Sequence, residues 1–374
     1  MADFRVSNLA KTLVHYSTEV MPGDHVGILT QPVALPLAEE VYRQALAAGG
    51  YPYVLFGGLR SRAETEALEY ILFTEGNDDQ IQHVNRFDKM VREEFEVMVV
   101  LQSQSNTRRL SNVDPAKQQL RARAYTEVTK VYRQRAAAGD LRWVITLYPT
   151  QAVAQDAEMS LEEFSDYVFG TTFSDTNDPV AEWNKIHDEQ QRLVDWLKGK
   201  KLLSVKGPNV DLEVSVEGRD FINSDGKRNM PSGEIFTSPV EDAVNGWVRF
   251  TYPAIRQGRE VEGVELKFEK GKVVEASAKK NQGFLISMLD TDEGARYLAE
   301  FAIGTNKRIN RFIKNILFDE KIGGTIHMAL GFGFAEIGGK NESAIHWDLI
   351  CDMRDGGQIF ADGELFYESG EFIV

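Results

Sequence analysis

The chain is expected to fold as an α/β N-terminal domain with a mostly parallel sheet, followed by an α+β C-terminal domain rich in antiparallel strands. Three observations predict this. Between His25 and Phe56 a short buried strand, a helix and a second strand follow at the spacing of a βαβ unit, and parallel strands need such a crossover. Beyond residue 200 the texture changes to alternating segments and Gly-rich turns, the pattern of antiparallel β structure. With 374 residues the chain can bury two cores. The expected domains are 1–200 and 201–374.

Taken in order, the N-terminal segment MADFRVSNLAKTLVHYS reads as an amphipathic helix with Val6, Leu9, Ala10, Leu13 and Val14 on one face. It has no apolar core of signal-peptide length. His25 to Thr30 reads as a short buried strand and Pro52 to Phe56 as a second strand, with Pro36 to Ala48 as the helix between them and Gly49 as its stop. EVMVVL from Glu96 and LRWVITLY from Leu141 look like further strands of that sheet. Pro115 to Ala138 reads as one long helix closed by Gly139. SLEEFSDYVFG opens with a capping box, Ser160 with Glu163. Glu182 to Lys198 is a helix with Trp183, Ile186, Leu193, Val194 and Leu197 on one stripe, and His187 beside it reads as a packing or surface histidine. In the second half VELKFEKGKVVEASA reads as a hairpin with Val264, Leu266 and Phe268 on one face, and IFADGELFY carries an Asp-Gly hairpin turn.

Composition excludes several classes. Hydrophobic residues make up 43% and charged residues 26%, and no apolar run approaches the roughly 20 residues that span a bilayer. A net charge of -15 opposes a general nucleic-acid surface. The arginines at 108, 109, 121, 123, 133 and 135, with Lys130, read as a solvated helix face. A single cysteine, Cys351, excludes an internal disulfide and a multi-cysteine zinc site, and fits a reducing cytoplasm. Neither GxGxxG after the first strand nor GxxxxGK[ST] occurs, so the phosphate cradle of a nucleotide domain is missing.

The chemistry concentrates in GTIHMALGFGFAEIGGKNESAIHWD, Gly324 to Asp348. On a strand, His346 and Asp348 point to the same face. A buried His and Asp need partners, and a divalent cation supplies them. His327 alone could be a core histidine. Glu234 follows a Pro-Ser-Gly turn, and Glu300 sits in an otherwise apolar stretch from Tyr297 to Ile303. Three carboxylates and two neutral imidazoles nearly balance two divalent ions and leave room for a hydroxide, which favours a dinuclear centre. Ligation by oxygen and nitrogen without thiolate suits Zn, Co or Mn.

NMPSGEIFTSPVEDAVNG, LAEFAIGTN, ILFDEKIGGTIHMALGFGF and SAIHWDLI, in that order, resemble the aminopeptidase T and aminopeptidase S family, a family of dinuclear metallo-aminopeptidases of thermophilic type. The match spans nearly all of residues 200 to 374, and DAEMSLEEF agrees with the family's N-terminal domain. The resemblance implies a cytoplasmic exopeptidase with two metal ions that removes N-terminal residues from peptide substrates, and a homodimer with sites facing an internal cavity. It places Glu234, Glu300, His327, His346 and Asp348 on the metal-ligand positions, with Glu234 or Glu300 able to bridge the ions. No nucleic acid or membrane partner is implied. A free carboxylate should carry the proton to the leaving amine, with Glu241, Asp242, Glu320 and Glu336 as candidates. One position departs: seven residues after His327, where better-known members carry tyrosine, stands Phe334. Phenylalanine cannot donate a hydrogen bond to an oxyanion, and one such donor is worth about 10²- to 10³-fold in rate. The link between His327 and His346 is also shorter than in longer members.

Two other readings compete. A 2,5-dihydroxypyridine ring-cleaving dioxygenase resembles the same fold and turn but uses one non-haem Fe(II), a triad that Glu300, His346 and Asp348 could supply. Glu234 and His327 argue for the peptidase. A catalytically idle relative would leave the buried charges uncompensated.

Overall fold

The computed structural model describes residues 3–57, 65–256 and 258–374. The chain divides into two compact units, Met1–Trp183 with Gly226–Pro231, and Asn184–Asp225 with Ser232–Val374. The first crossing lies inside the helix Pro179–Leu197, shortly before residue 200.

In the first unit, strands His25–Thr30, Tyr51–Phe56, Val97–Gln102 and Arg142–Leu147 form a parallel sheet, and the two-residue strand Asn229–Met230 adds a fifth parallel member at its edge. The central strands read as continuous apolar runs because helices cover both faces of a parallel sheet; Val97 to Leu101 are fully buried. The crossover helix is Leu35–Ala47, preceded by a 3-10 turn at Pro32–Ala34. The N-terminal helix Phe4–Lys11 continues as a π-helical stretch over Thr12–Ser17, and Val6, Leu9, Ala10, Leu13 and Val14 are all buried.

Two expectations need correction. The single helix over Pro115 to Ala138 is two helices, Pro115–Ala124 and Thr126–Ala138. They part at Tyr125, whose buried ring fixes a non-helical backbone and whose hydroxyl accepts from Asn85 N at 3.1 Å. Nor is the basic face of these helices wholly solvated. Arg121 is buried and donates from Nη1 to the Ile81 carbonyl at 3.1 Å, so its guanidinium closes a helix end. The capping box is present as read: Glu163 N donates to Ser160 Oγ at 3.1 Å and Ser160 N to Glu163 Oε2 at 3.3 Å.

The second unit is built on two main antiparallel sheets and also holds a two-stranded one, Ala254–Arg256 with Arg259–Val261. The larger has eight strands and includes the hairpins Glu265–Glu269 with Lys272–Ser277 and Gln358–Ala361 with Glu364–Glu368. Val264, Leu266 and Phe268 enter the core of this unit together, with Leu212, Val248, Phe301, Ile326 and Leu349. The five-stranded sheet carries the candidate site residues. Its order is His346–Asp352, Thr325–Gly331, Leu298–Gly304, Glu234–Thr237, Ile222–Ser224, each antiparallel to its neighbour. One face packs into the core, while the other carries the acidic and imidazole side chains. Among the described residues no helix is long and apolar enough to cross a membrane.

Candidate metal centre

Strand register explains how residues more than a hundred positions apart in sequence meet. In an antiparallel sheet, residues directly opposite share a face, and so do residues two apart on one strand. Gly304 stands opposite Glu234, Ala302 lies between Phe236 and His327, Ala329 between Glu300 and Asp348, and Gly331 opposite His346. Each large polar side chain is therefore flanked by glycine or alanine. The tips of the five side chains can lean inward over these small neighbours. Two backbone irregularities finish the aiming. Register shifts between Leu298 and Glu300, a bulge that re-aims the glutamate. Gly233, at φ +115°, turns the chain into Glu234, and a Cβ there would meet Asn306 Cβ at 2.6 Å.

The candidate ligand atoms converge. His327 Nε2 lies 3.4 Å from Glu234 Oε2 and 3.6 Å from Glu300 Oε1, while His346 Nε2 lies 3.1 Å from Glu300 Oε2 and 3.2 Å from Asp348 Oδ1. Glu300 thus faces both imidazoles, one oxygen to each. Two overlapping triads result, Glu234 with Glu300 and His327, and Glu300 with His346 and Asp348. A third joins Glu320 to His327 and Asp348.

Tautomers follow from the backbone. His327 Nδ1 sits 2.8 Å from the Glu320 carbonyl and His346 Nδ1 2.9 Å from the Phe332 carbonyl. A carbonyl only accepts, so each Nδ1 carries hydrogen and each Nε2 is turned to the carboxylates, the arrangement of a metal-binding histidine. Ionised carboxylates also only accept. Lone pairs facing lone pairs require a cation between them, either a metal ion or extra protons. Glu234 Oε2 is buried and has no hydrogen-bond partner, although His327 Nε2 is close. An orphaned buried carboxylate oxygen aimed at an imidazole nitrogen fits a missing ligand bond, and this nitrogen and oxygen donor set suits a divalent metal.

The electrostatics agree. Burial alone would lower the pKa of His327, yet the carboxylates of Glu300 and Glu234 lift it to about 9. His346 is likewise raised against burial, by Asp348 and Glu300. Burial would raise Asp348, but His346 holds it at about 2, and the two histidines hold Glu300 below the usual carboxylate range. The field gathers positive charge at the point between the five candidate side chains. The side chains of His327, Glu234 and Glu300 are only 1%, 5% and 6% exposed, whereas His346 is 30% exposed. His346 is the most exposed of the four.

Of the carboxylates proposed for proton transfer, only Glu320 stands among the candidate ligands. Glu241 accepts from Arg219 Nη2 and from Lys340 N, each at 2.7 Å, and so ties the loop after the Thr325–Gly331 strand. Asp242 and Glu336 are exposed. Phe334 is at the site: its ring packs edge-on to those of His346 at 5.3 Å and Phe236 at 5.4 Å, and its N–H donates to Ser238 Oγ at 3.1 Å. His187 is a surface residue whose Nδ1 meets Asp225 Oδ2 at 2.7 Å. Sequence reasoning missed Lys321, fully buried, whose Nζ lies 3.5 Å from Glu234 Oε1 and touches Glu320 Oε1. Its signal was a lysine in the otherwise closed stretch KIGGTIHMALG just before a buried strand.

Comparison with known proteins gives concordant results. The family model described as thermophilic metalloprotease (M29) matches residues 2–372. Aminopeptidase 2 of Geobacillus stearothermophilus is similar at 28% identity over 385 residues, covering 92% of this chain and 91% of its own. Aminopeptidase T of Thermus thermophilus is 30% identical over 235 residues, covering 55% of this chain and 57% of its own. The solved structure titled wild-type AmpT from Thermus thermophilus superposes with a TM-score of 0.86 at 22% identity, covering 99% of both chains, a likeness of fold.

Proposed function

From the premise that the chain belongs to the thermophilic metalloprotease family M29, we propose that it is an aminopeptidase that releases the N-terminal residue of peptides at a centre of two divalent ions, Zn, Co or Mn. The observation that carries this reading is the buried, unpartnered Glu234 Oε2 facing His327 Nε2. Glu234, Glu300 and His327 would hold one ion and Glu300, His346 and Asp348 the other, with Glu300 shared. When bound, such ions polarise a carbonyl and make a water acidic enough to attack near neutral pH.

The chain's own residues do the rest. The carbonyls of Glu320 and Phe332 lock both imidazoles in the ligating tautomer. Glu320, beside His327 and Asp348, takes the proton of the attacking water on a carboxylate oxygen and returns it to the leaving amine. Phe334 packs edge-on to His346 and Phe236, so the three rings line one flank of the site. The dioxygenase reading is not favoured, because it leaves Glu234 and His327 without a task and the relatives are named aminopeptidases. Cytoplasmic location and a homodimer complete the proposal, on the motif resemblance.

The test uses metal-stripped protein reloaded with Co(II), Zn(II) or Mn(II), and follows amino-acid release from unblocked and N-acetylated peptides. Release from unblocked peptides alone, restored by metal, is the expected result. Equal cleavage of blocked peptides, or oxygen uptake with Fe(II) and a dihydroxypyridine in place of hydrolysis, would refute it. A second expectation concerns Phe334. Phe334→Tyr places a phenol beside His346 and should raise kcat about tenfold or more with KM little changed, since one oxyanion donor is worth about 10²- to 10³-fold when fully aligned. An unchanged kcat would mean that another group already serves the oxyanion.

A further inference from the structure

Lys321 is the largest fully buried charged side chain of the second unit, with no exposed surface at all. A lysine in such a place is kept charged only by partners, and its partners are two carboxylates of the centre. Its Nζ lies 3.5 Å from Glu234 Oε1 and touches Glu320 Oε1. On the other side of Glu234, Oε2 is left for His327 and whatever lies between them. The lysine therefore divides the two oxygens of Glu234 between two tasks.

Charge gives the second half of the argument. Glu320, His327 and Asp348 form a third group able to hold a metal, overlapping the other two. Glu234, Glu300 and Asp348 carry three negative charges, and Glu320 would add a fourth. Lys321 cancels it. The centre then keeps the charge that two divalent ions and a hydroxide neutralise, and Glu320 stays free of metal to move protons.

We propose that Lys321 is a positioning residue that sets the metal stoichiometry of the centre, by restricting Glu234 to one ligating oxygen and holding Glu320 away from metal. This inference rests on the reading of the five side chains as the metal centre. Unlike a packing role, it makes the charge of Lys321, in balance with that of Glu320, the quantity that matters.

The experiment titrates the metal-stripped full-length protein with Co(II) alone. It reads ions bound per chain by elemental analysis, and coordination by the visible absorption of cobalt. Lys321→Met should bind more cobalt per chain than wild type and show a changed spectrum, as Glu320 becomes a ligand. Its kcat should fall at least tenfold with KM within about threefold. Lys321→Met combined with Glu320→Gln restores the charge balance and leaves no buried unpaired ion. It should fold and return to the wild-type cobalt count, whether or not the single variant folds, while its spectrum still departs from wild type because Glu234 is no longer held to one oxygen. A double variant that differs from wild type in cobalt count, or that does not fold, overturns the proposal. So does a folded Lys321→Met with wild-type stoichiometry and spectrum. A wild-type protein that binds no cobalt would instead remove the metal-centre reading itself, so the two failures are distinct.

Discussion

Glu300→Gln is expected to lower hydrolysis more than any other single substitution, by over about 10³-fold in kcat/KM. The reason is its position: its two oxygens face different imidazoles, His327 and His346, at 3.6 and 3.1 Å, so one change removes a ligand from both triads. Polarisation by bound metal contributes several kcal/mol to the transition state, and about 1.4 kcal/mol is tenfold in rate. The amide is nearly isosteric and relieves buried charge, so the variant should fold with a melting temperature close to that of metal-free wild type. Metal content measured after desalting should fall with activity. A Glu300→Gln protein retaining full metal and more than a tenth of wild-type activity would show that the two triads do not share Glu300.

Chelation should destabilise the second unit measurably. An ion that binds only the folded state at about a thousand times its Kd adds about 4 kcal/mol. For a unit of this size each kcal/mol moves the melting temperature by about 2–4 °C, so removal should lower it by roughly 8–16 °C. The gap should also widen with pH. In metal-free protein the proton on His327 takes the place of the metal. Its pKa is raised by Glu300 and Glu234, against burial, from 6.5 to about 9, so the stability it contributes is full below about pH 6.5 and is lost as pH rises through about 9. Loaded protein has no such proton to lose. Differential scanning calorimetry at pH 6 and pH 9, with and without chelator, measures both effects. A melting temperature indifferent to chelator at both values would contradict the metal reading.

Much of this was legible in the sequence because the governing patterns are local. The His25 to Phe56 crossover, the capping box at Ser160 and the hairpin with Val264, Leu266 and Phe268 each follow from a short-range rule of periodicity or capping. The pairing of His346 with Asp348 follows from the strand period alone, Glu300 was legible as a charge in an apolar stretch, and Glu234 and His327 were placed by the motif resemblance. What escaped depends on pairing between distant strands. The bulge before Glu300, the small residues that flank each candidate ligand, and the contact of Lys321 with Glu234 are set by register, which no single segment encodes. The break at Tyr125 escaped for a related reason, since the residues on both sides favour helix and a tertiary contact of the ring decides the matter. Burial of Arg121 is the same lesson: charge patterning reads a helix face as solvated until a neighbouring helix end claims the guanidinium.

The central claim is that Glu234, Glu300, His327, His346 and Asp348 together hold metal. Anomalous diffraction from crystals of the cobalt- or zinc-loaded protein, collected on either side of the metal's absorption edge, tests it most directly. The account expects two peaks that share Glu300, one bounded also by Glu234 and His327 and the other by His346 and Asp348. A single peak elsewhere, or none at these side chains in protein that hydrolyses peptides, would contradict it.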